Sequence, residues 1–241
     1  MRLIEAADYA DLGRIAADIV MAQMRTKANS LLVLPTGNTP LGMFRELIGA
    51  ARRGEADFSA ARIAMLDEYT GIAQDDRRRL YHWIRRALFD PIGVQASAVT
   101  AFDPEAEPEA EARRVEERIA GQGGIDLAVL GLGPNGHVGM NEPGSAFDSR
   151  TRLVTLAPAS IRSNAAYWGS EADVPRQGLT LGLGTLGEAR SLLLIVGGAG
   201  KATILEQVLN GTRSTEVPAT ALRSHPACTV IADRAALGCG T

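Results

Sequence analysis

Apolar positions along the chain repeat in two ways. Between residues 8 and 26, Leu12, Ile15, Ala16, Ile19, Val20 and Met24 recur in three- and four-residue steps, which predicts an amphipathic helix. Ser30-Leu31-Leu32-Val33-Leu34 is instead an unbroken apolar run, the pattern of a strand buried on both faces, and Pro35 breaks it. Helical spacing returns with Leu41, Phe44, Leu47 and Ile48, where Thr39 suits the N-cap and Pro40 the first helical position. Residues 62–66, 98–102, 152–156, 191–196 and 227–231 predict further strands. A helix is predicted over residues 76–90 with Leu80, Trp83, Ile84, Ala87 and Leu88 inward. A solvated, Glu/Ala/Arg-rich helix follows over 105–120, and a helix over 201–209 is closed by Asn210-Gly211.

One strand stands out. Ile125-Asp126-Leu127-Ala128-Val129-Leu130 opens into Gly131-Leu132-Gly133-Pro134-Asn135-Gly136-His137-Val138-Gly139-Met140-Asn141-Glu142-Pro143. A buried strand emptying into a glycine-rich loop that carries His137 and Glu142 has the layout of an α/β active site, where ligands sit beyond the carboxyl ends of strands. Strands alternating with helices imply a parallel α/β sheet. With no internal repeat and no linker, residues 1–241 are expected to form a single domain.

Composition narrows the class. A chain of 241 residues buries roughly 70–75% of its unfolded surface, so neither metal nor disulfide is needed to hold it. Lys and Arg number 25 against 28 Asp and Glu, a net charge of -3 that offers no footprint for nucleic acid. Cys228 and Cys239 are no disulfide framework, and acids lie where a signal peptide's apolar core would be; a reducing cytosol is the expected compartment. No apolar run reaches the ~18–20 residues of a membrane span.

Four strand ends are expected to share one edge of the sheet: residues 35–39, 67–68, 131–142 and 197–201. The loop Thr36-Gly37-Asn38-Thr39 brings hydroxyls and backbone N–H groups to a helix start, which suits a phosphate and equally an ordinary capped helix. Lys201 near another helix start opposes the macrodipole, a cost that a bound anion would offset. The surrounding sequence is not a Walker loop, since Ile195 and Ala202 occupy its glycine and Ser/Thr positions. Asp67 just past a buried strand is a candidate base, because desolvation raises carboxylate basicity; Glu68 is the alternative. His137 is a candidate acid/base, whereas His82 and His225 read as structural or exposed. The Gly131, Gly133, Gly136 spacing matches a dinucleotide fingerprint, but Pro134, Gly139 and Pro143 forbid the helix it requires. His137 and Glu142 lack a third metal ligand. Asp75-Asp76-Arg77-Arg78-Arg79 reads as a solvated helix start, with a phosphate-gathering lid as the minor alternative.

Together these residues resemble the glucosamine-6-phosphate deaminase/isomerase family and its galactosamine-6-phosphate isomerase branch. The motifs are Leu34-Pro35-Thr36-Gly37-Asn38-Thr39-Pro40, Leu66-Asp67-Glu68-Tyr69, Gly133-Pro134-Asn135-Gly136-His137 with Asn141-Glu142-Pro143, Leu179-Thr180-Leu181-Gly182, and Gly200-Lys201. The related 6-phosphogluconolactonases share the Gly-His loop but usually carry Asp-Glu-Arg where this chain has Asp67-Glu68-Tyr69, and usually lack Asn-Glu-Pro. The resemblance implies a single-domain, Rossmann-like three-layer α/β sandwich with a mostly parallel sheet. It implies that His137 moves the proton that opens the sugar ring, that Glu142 orients the imidazole with Asn135 beside it, and that Asp67 abstracts the C2 proton. Thr36, Gly37, Asn38, Thr39, Glu68, Gly133 and Lys201 would bind substrate and its phosphate. No cofactor and no metal are implied; the partner is a small-molecule sugar phosphate, and a homo-oligomer is compatible. Alternatives are lactone hydrolysis and a non-catalytic phosphosugar sensor.

Three departures from the family pattern stand out. The deaminases usually carry aspartate where this chain has Asn135, which fixes the His137 tautomer without adding charge and matches the galactosamine branch. The family's phosphate-binding arginine would fall near Asn164-Ala165-Ala166, and Arg162 is out of register with it. Val154 replaces a lysine of the allosteric region, although Ser145, Arg152 and Thr155 remain, and the C-terminus is short. Allosteric activation is therefore not expected.

Overall fold

The computed structural model describes residues 1–239. Its elements begin with β1 (Arg2–Ala6), α1 (Tyr9–Thr26), β2 (Leu31–Leu34), α2 (Leu41–Arg52), β3 (Arg62–Met65) and β4 (Asp67–Tyr69). Then come α3 (Leu80–Ile84), which continues through a π-helical turn (Arg85–Phe89) into α4 (Asp90–Ile92), β5 (Val99–Thr100), α5 (Pro108–Gly121), β6 (Leu127–Gly131) and β7 (Arg152–Thr155). The remainder is α6 (Pro158–Trp168), β8 (Gln177–Thr180), α7 (Leu183–Gly187), β9 (Ser191–Val196), α8 (Ala202–Asn210) and β10 (Cys228–Asp233).

Seven strands form a wholly parallel sheet in the order β1-β10-β9-β6-β2-β3-β5. The apolar runs occupy its centre because every residue of β2, and Leu127, Ala128, Val129 and Leu130 of β6, is buried. From β2 the chain crosses to β3 on one side, and from β6 it proceeds to β9 on the other. The loops leaving β2 and β6 therefore diverge at adjacent strands, which opens a crevice at that switch point.

A second sheet was not foreseen. β4, β8 and β7 pair antiparallel, with Asp67 opposite Thr180 and Arg152 also opposite Thr180. Asp67 therefore does not begin a turn or loop after the strand over 62–66 but opens a new strand: the chain leaves the parallel sheet at Leu66, and Leu66 O accepts from Leu181 N. A separate apolar cluster of Tyr69, Met140, Leu156, Ile161, Trp168 and Val174 joins this sheet to α6. β1 was also missed, since it exists through pairing with β10 more than two hundred residues away.

Local corrections have clear causes. Thr39 does not cap α2: Pro40 occupies the N-cap position and no side chain of the loop bonds back. Instead the Tyr9 hydroxyl of α1 accepts from Gly42 N and donates to Asn38 O, each at 2.9 Å. α5 is not solvated all round, because Glu111, Ala112, Val115 and Ile119 form a buried face. Arg79 is no solvated lid residue either; it is buried against Glu68, Gln74 and Phe102 O. Among the described residues, no helix is long and apolar enough to cross a membrane.

Candidate active site

The crevice holds a cleft of about 240 Å³. The loop after β2 supplies Thr36, Gly37, Asn38 and Thr39 to its lining; Gly37 takes φ +95°, a conformation that only glycine adopts freely. Because Tyr9 secures the start of α2 from outside, the hydroxyls of Thr36 and Thr39 are not used as caps and remain available in the cleft.

The turn from β3 into β4 supplies Asp67. Its residue is buried, and its Oδ1 has no hydrogen-bond partner. Burial, reinforced by the neighbouring Glu68 charge, pushes the Asp67 carboxyl up to about 7. That is the range in which a carboxylate exchanges protons efficiently at neutral pH.

Glu68 does not line the cleft, contrary to its expected place among the substrate contacts. Side chains alternate across a strand, so Asp67 and Tyr69 face the cleft while Glu68 faces away. Its Oε1 accepts from Leu80 N at 2.9 Å and Tyr69 N at 3.1 Å; its Oε2 accepts from Tyr81 N at 3.1 Å and Arg79 Nε at 3.3 Å. Glu68 is the anchor of α3.

The loop after β6 folds back on itself through Gly133 N to His137 O and Gly136 N to Gly133 O. The His137 ring lies directly across Gly133: a Cβ there would sit 2.2 Å from Nε2. Asn135 does not touch the imidazole and so cannot set its tautomer. Its Oδ1 accepts from the His137 main-chain N–H at 3.2 Å, and its Nδ2 donates to Glu142 Oε2 at 2.8 Å. Glu142 Oε2 is 3.5 Å from His137 Nδ1, and Glu142 Oε1 accepts from Ala157 N at 3.2 Å. Burial raises the Glu142 carboxyl, but hydrogen bonds from His137, Ser160 and Asn135 and the His137 charge outweigh it and bring it to about 2. Glu142 is therefore an anion, and Asp67 can retain its proton: two carboxyls in one cleft, set apart by environment.

From β9 only Lys201 reaches the cleft; Gly198 N is held by the Asp233 carboxylate at 2.9 Å. Lys201 is half-buried, which pulls its ammonium below the usual lysine range, and among the described residues it has no ion-pair partner. Arg162 is exposed on α6, outside the lining.

Residues not expected as site contacts from the sequence complete the wall: Tyr69, Leu80, Met140, Leu156, and Ser160, Ser163 and Asn164 from α6. Pro158 at the first turn of α6 was the available signal, being the favoured residue at a helix start. Among the described residues no three His, Cys, Asp or Glu side chains gather as metal ligands.

Residues 6–231 match the family model described as glucosamine-6-phosphate isomerases/6-phosphogluconolactonase. A glucosamine-6-phosphate deaminase from Geobacillus sp. is 41% identical over 98% of this chain and 95% of its own length. One from Corynebacterium aurimucosum is 40% identical over 98% and 92%. Among solved structures, a monomeric glucosamine-6-phosphate deaminase superposes with a TM-score of 0.96 at 35% identity, covering 100% of both chains. A 6-phosphogluconolactonase from Thermotoga maritima gives 0.74 at 19% identity over 96% and 99%, which is a likeness of fold.

Proposed function

We propose a function from one premise: the chain belongs to the family of glucosamine-6-phosphate isomerases and 6-phosphogluconolactonases. Its reaction is aldose–ketose isomerisation with deamination of an amino-sugar 6-phosphate, giving a ketohexose 6-phosphate and ammonia. Glucosamine 6-phosphate is the substrate of the similar enzymes by name, and galactosamine 6-phosphate is the second candidate.

His137 takes the proton from the anomeric hydroxyl and returns one to the ring oxygen, opening the pyranose. Asp67 then removes the C2 hydrogen to leave an enolamine, and protonation at C1 gives a 2-imine. Water adds at C2 and the amino group leaves as ammonia. Lys201 with the hydroxyls of Thr36 and Thr39 holds the phosphate. The observation that carries this reading is the pairing, in one cleft, of a buried carboxyl at about 7 with an imidazole backed by an anionic Glu142.

Ammonia release from glucosamine 6-phosphate and from its C4 epimer, measured side by side, tests it. Release is expected from glucosamine 6-phosphate, and His137→Ala should reduce it at least about 100-fold. No release from either would overturn the assignment and direct the assay to 6-phosphogluconolactone hydrolysis. Gly133→Ala should reproduce most of the His137→Ala loss, since the added methyl occupies the space of the ring. Its melting temperature should stay near that of the parent, because the displaced ring is only partly buried. Unaltered turnover in Gly133→Ala would remove the ring position from the mechanism.

A further inference from the structure

The geometry points to Ser160 as a positioning residue that, standing between His137 Nδ1 and Glu142, holds the His137 proton on Nδ1. The inference rests on the reading of His137 as the acid/base. Ser160 lies in the first turn of α6 and is 2% exposed. Buried hydroxyls require a partner, and its Oγ finds His137 Nδ1 at 3.3 Å. Glu142 Oε2 is the second group at that nitrogen, farther off at 3.5 Å, and it also accepts from Asn135 Nδ2. The serine is thus the nearest polar group to Nδ1.

The charge beside it sets the direction of the bond. A bare lone pair on Nδ1 would face the Glu142 carboxylate, whereas an N–H there points its positive end toward it. Nδ1–H therefore donates to Ser160 Oγ, and the serine hydroxyl is left to donate toward Glu142. The tautomer of a neutral histidine follows the hydrogen bond made by the nitrogen that is not reacting. Nε2, lying over Gly133 at the cleft wall, is then the unprotonated nitrogen and can accept a proton from a sugar hydroxyl. Removing the hydroxyl leaves Nδ1 with only the longer 3.5 Å approach to Glu142, and the Nε2–H form becomes more populated.

Nitrogen-15 NMR of histidine-labelled protein in the neutral-imidazole range reads this directly, since the chain has 3 histidines and His137→Ala identifies the signal. The parent should show His137 protonated at Nδ1, Ser160→Ala a mixture or the Nε2–H form, and Ser160→Thr the parent pattern. In the deaminase assay Ser160→Ala should lower kcat by roughly tenfold or more with KM within about twofold, and Ser160→Thr should restore it. An Nε2–H ring in the parent, or an unchanged tautomer in Ser160→Ala, would overturn the assignment. The spectrum needs no substrate, so an absence of ammonia release would count against the proposed reaction and leave this inference decided on its own evidence.

Discussion

Asp67→Asn is expected to bring exchange of the C2 hydrogen of glucosamine 6-phosphate with solvent to background, a loss of about 10²–10⁴-fold. The amide cannot accept the proton, and no other carboxyl lining the cleft replaces it, because Glu142 is fixed by Asn135 and Ala157. Retained exchange would remove Asp67 from the role of base. The same substitution should change how stability depends on pH. The folded chain holds the Asp67 proton up to about 7, while the unfolded chain releases it near 3.8. Between those values the folded state binds more protons, so stability falls as pH rises through the window and stays reduced above it. Asparagine carries no proton to lose. Asp67→Asn should therefore gain stability relative to the parent across that range, by on the order of 4 kcal/mol at pH 8. Glu142 has the opposite sign: its carboxyl lies at about 2, below its ordinary 4.5, so the stability it contributes is lost as pH falls between those values. Urea unfolding from pH 3 to 8 separates the two, and parallel profiles for parent and Asp67→Asn would refute the buried-base description.

Breaking the Glu68–Arg79 pair is the second large effect. Both side chains are buried, at 1% and 4% exposure, and Glu68 receives three backbone N–H groups besides the guanidinium. Glu68→Ala strips those donors and leaves Arg79 charged and buried; a cost of about 3–5 kcal/mol is expected. Arg79→Ala should cost a similar amount, since it leaves Glu68 without its counter-charge and also orphans Phe102 O. Because the two share one network, the double variant should lose less than the sum, a coupling of about 0.5–3 kcal/mol. Denaturant unfolding of the four proteins gives the cycle directly. A Glu68→Ala loss below about 1 kcal/mol would show that the network is not an anchor. The consequence for the site is geometric: Glu68 ties β4 to α3, and Asp67 is the next residue along that strand.

The central elements were legible because their signals are local. α1 follows from its three- and four-residue spacing, and β2, β6, β9 and β10 from apolar runs that only a two-sided burial accommodates. The second sheet was not legible. β4 is three residues long and its partner β8 lies more than a hundred residues away, so nothing in residues 67–69 alone distinguishes a strand end from a new strand. α6 was missed for a related reason: its apolar stripe is weak, and its inward residues pack on Tyr69 and Met140 from elsewhere in the chain.

The sequence by itself determined the parallel α/β class and the loop around His137, and it marked Asp67, His137 and Lys201 as candidates, because residue type and local spacing are sufficient for those. Only the tertiary structure decided which acid of the pair Asp67-Glu68 enters the cleft, since the face a strand residue takes depends on the sheet it joins. It also decided that Tyr9 rather than Thr39 secures α2, and that Ser160 rather than Asn135 stands beside Nδ1 of His137. These partners are separated from their targets by twenty-three or more residues where the assignment changed, and long-range contacts form only when the whole chain has packed.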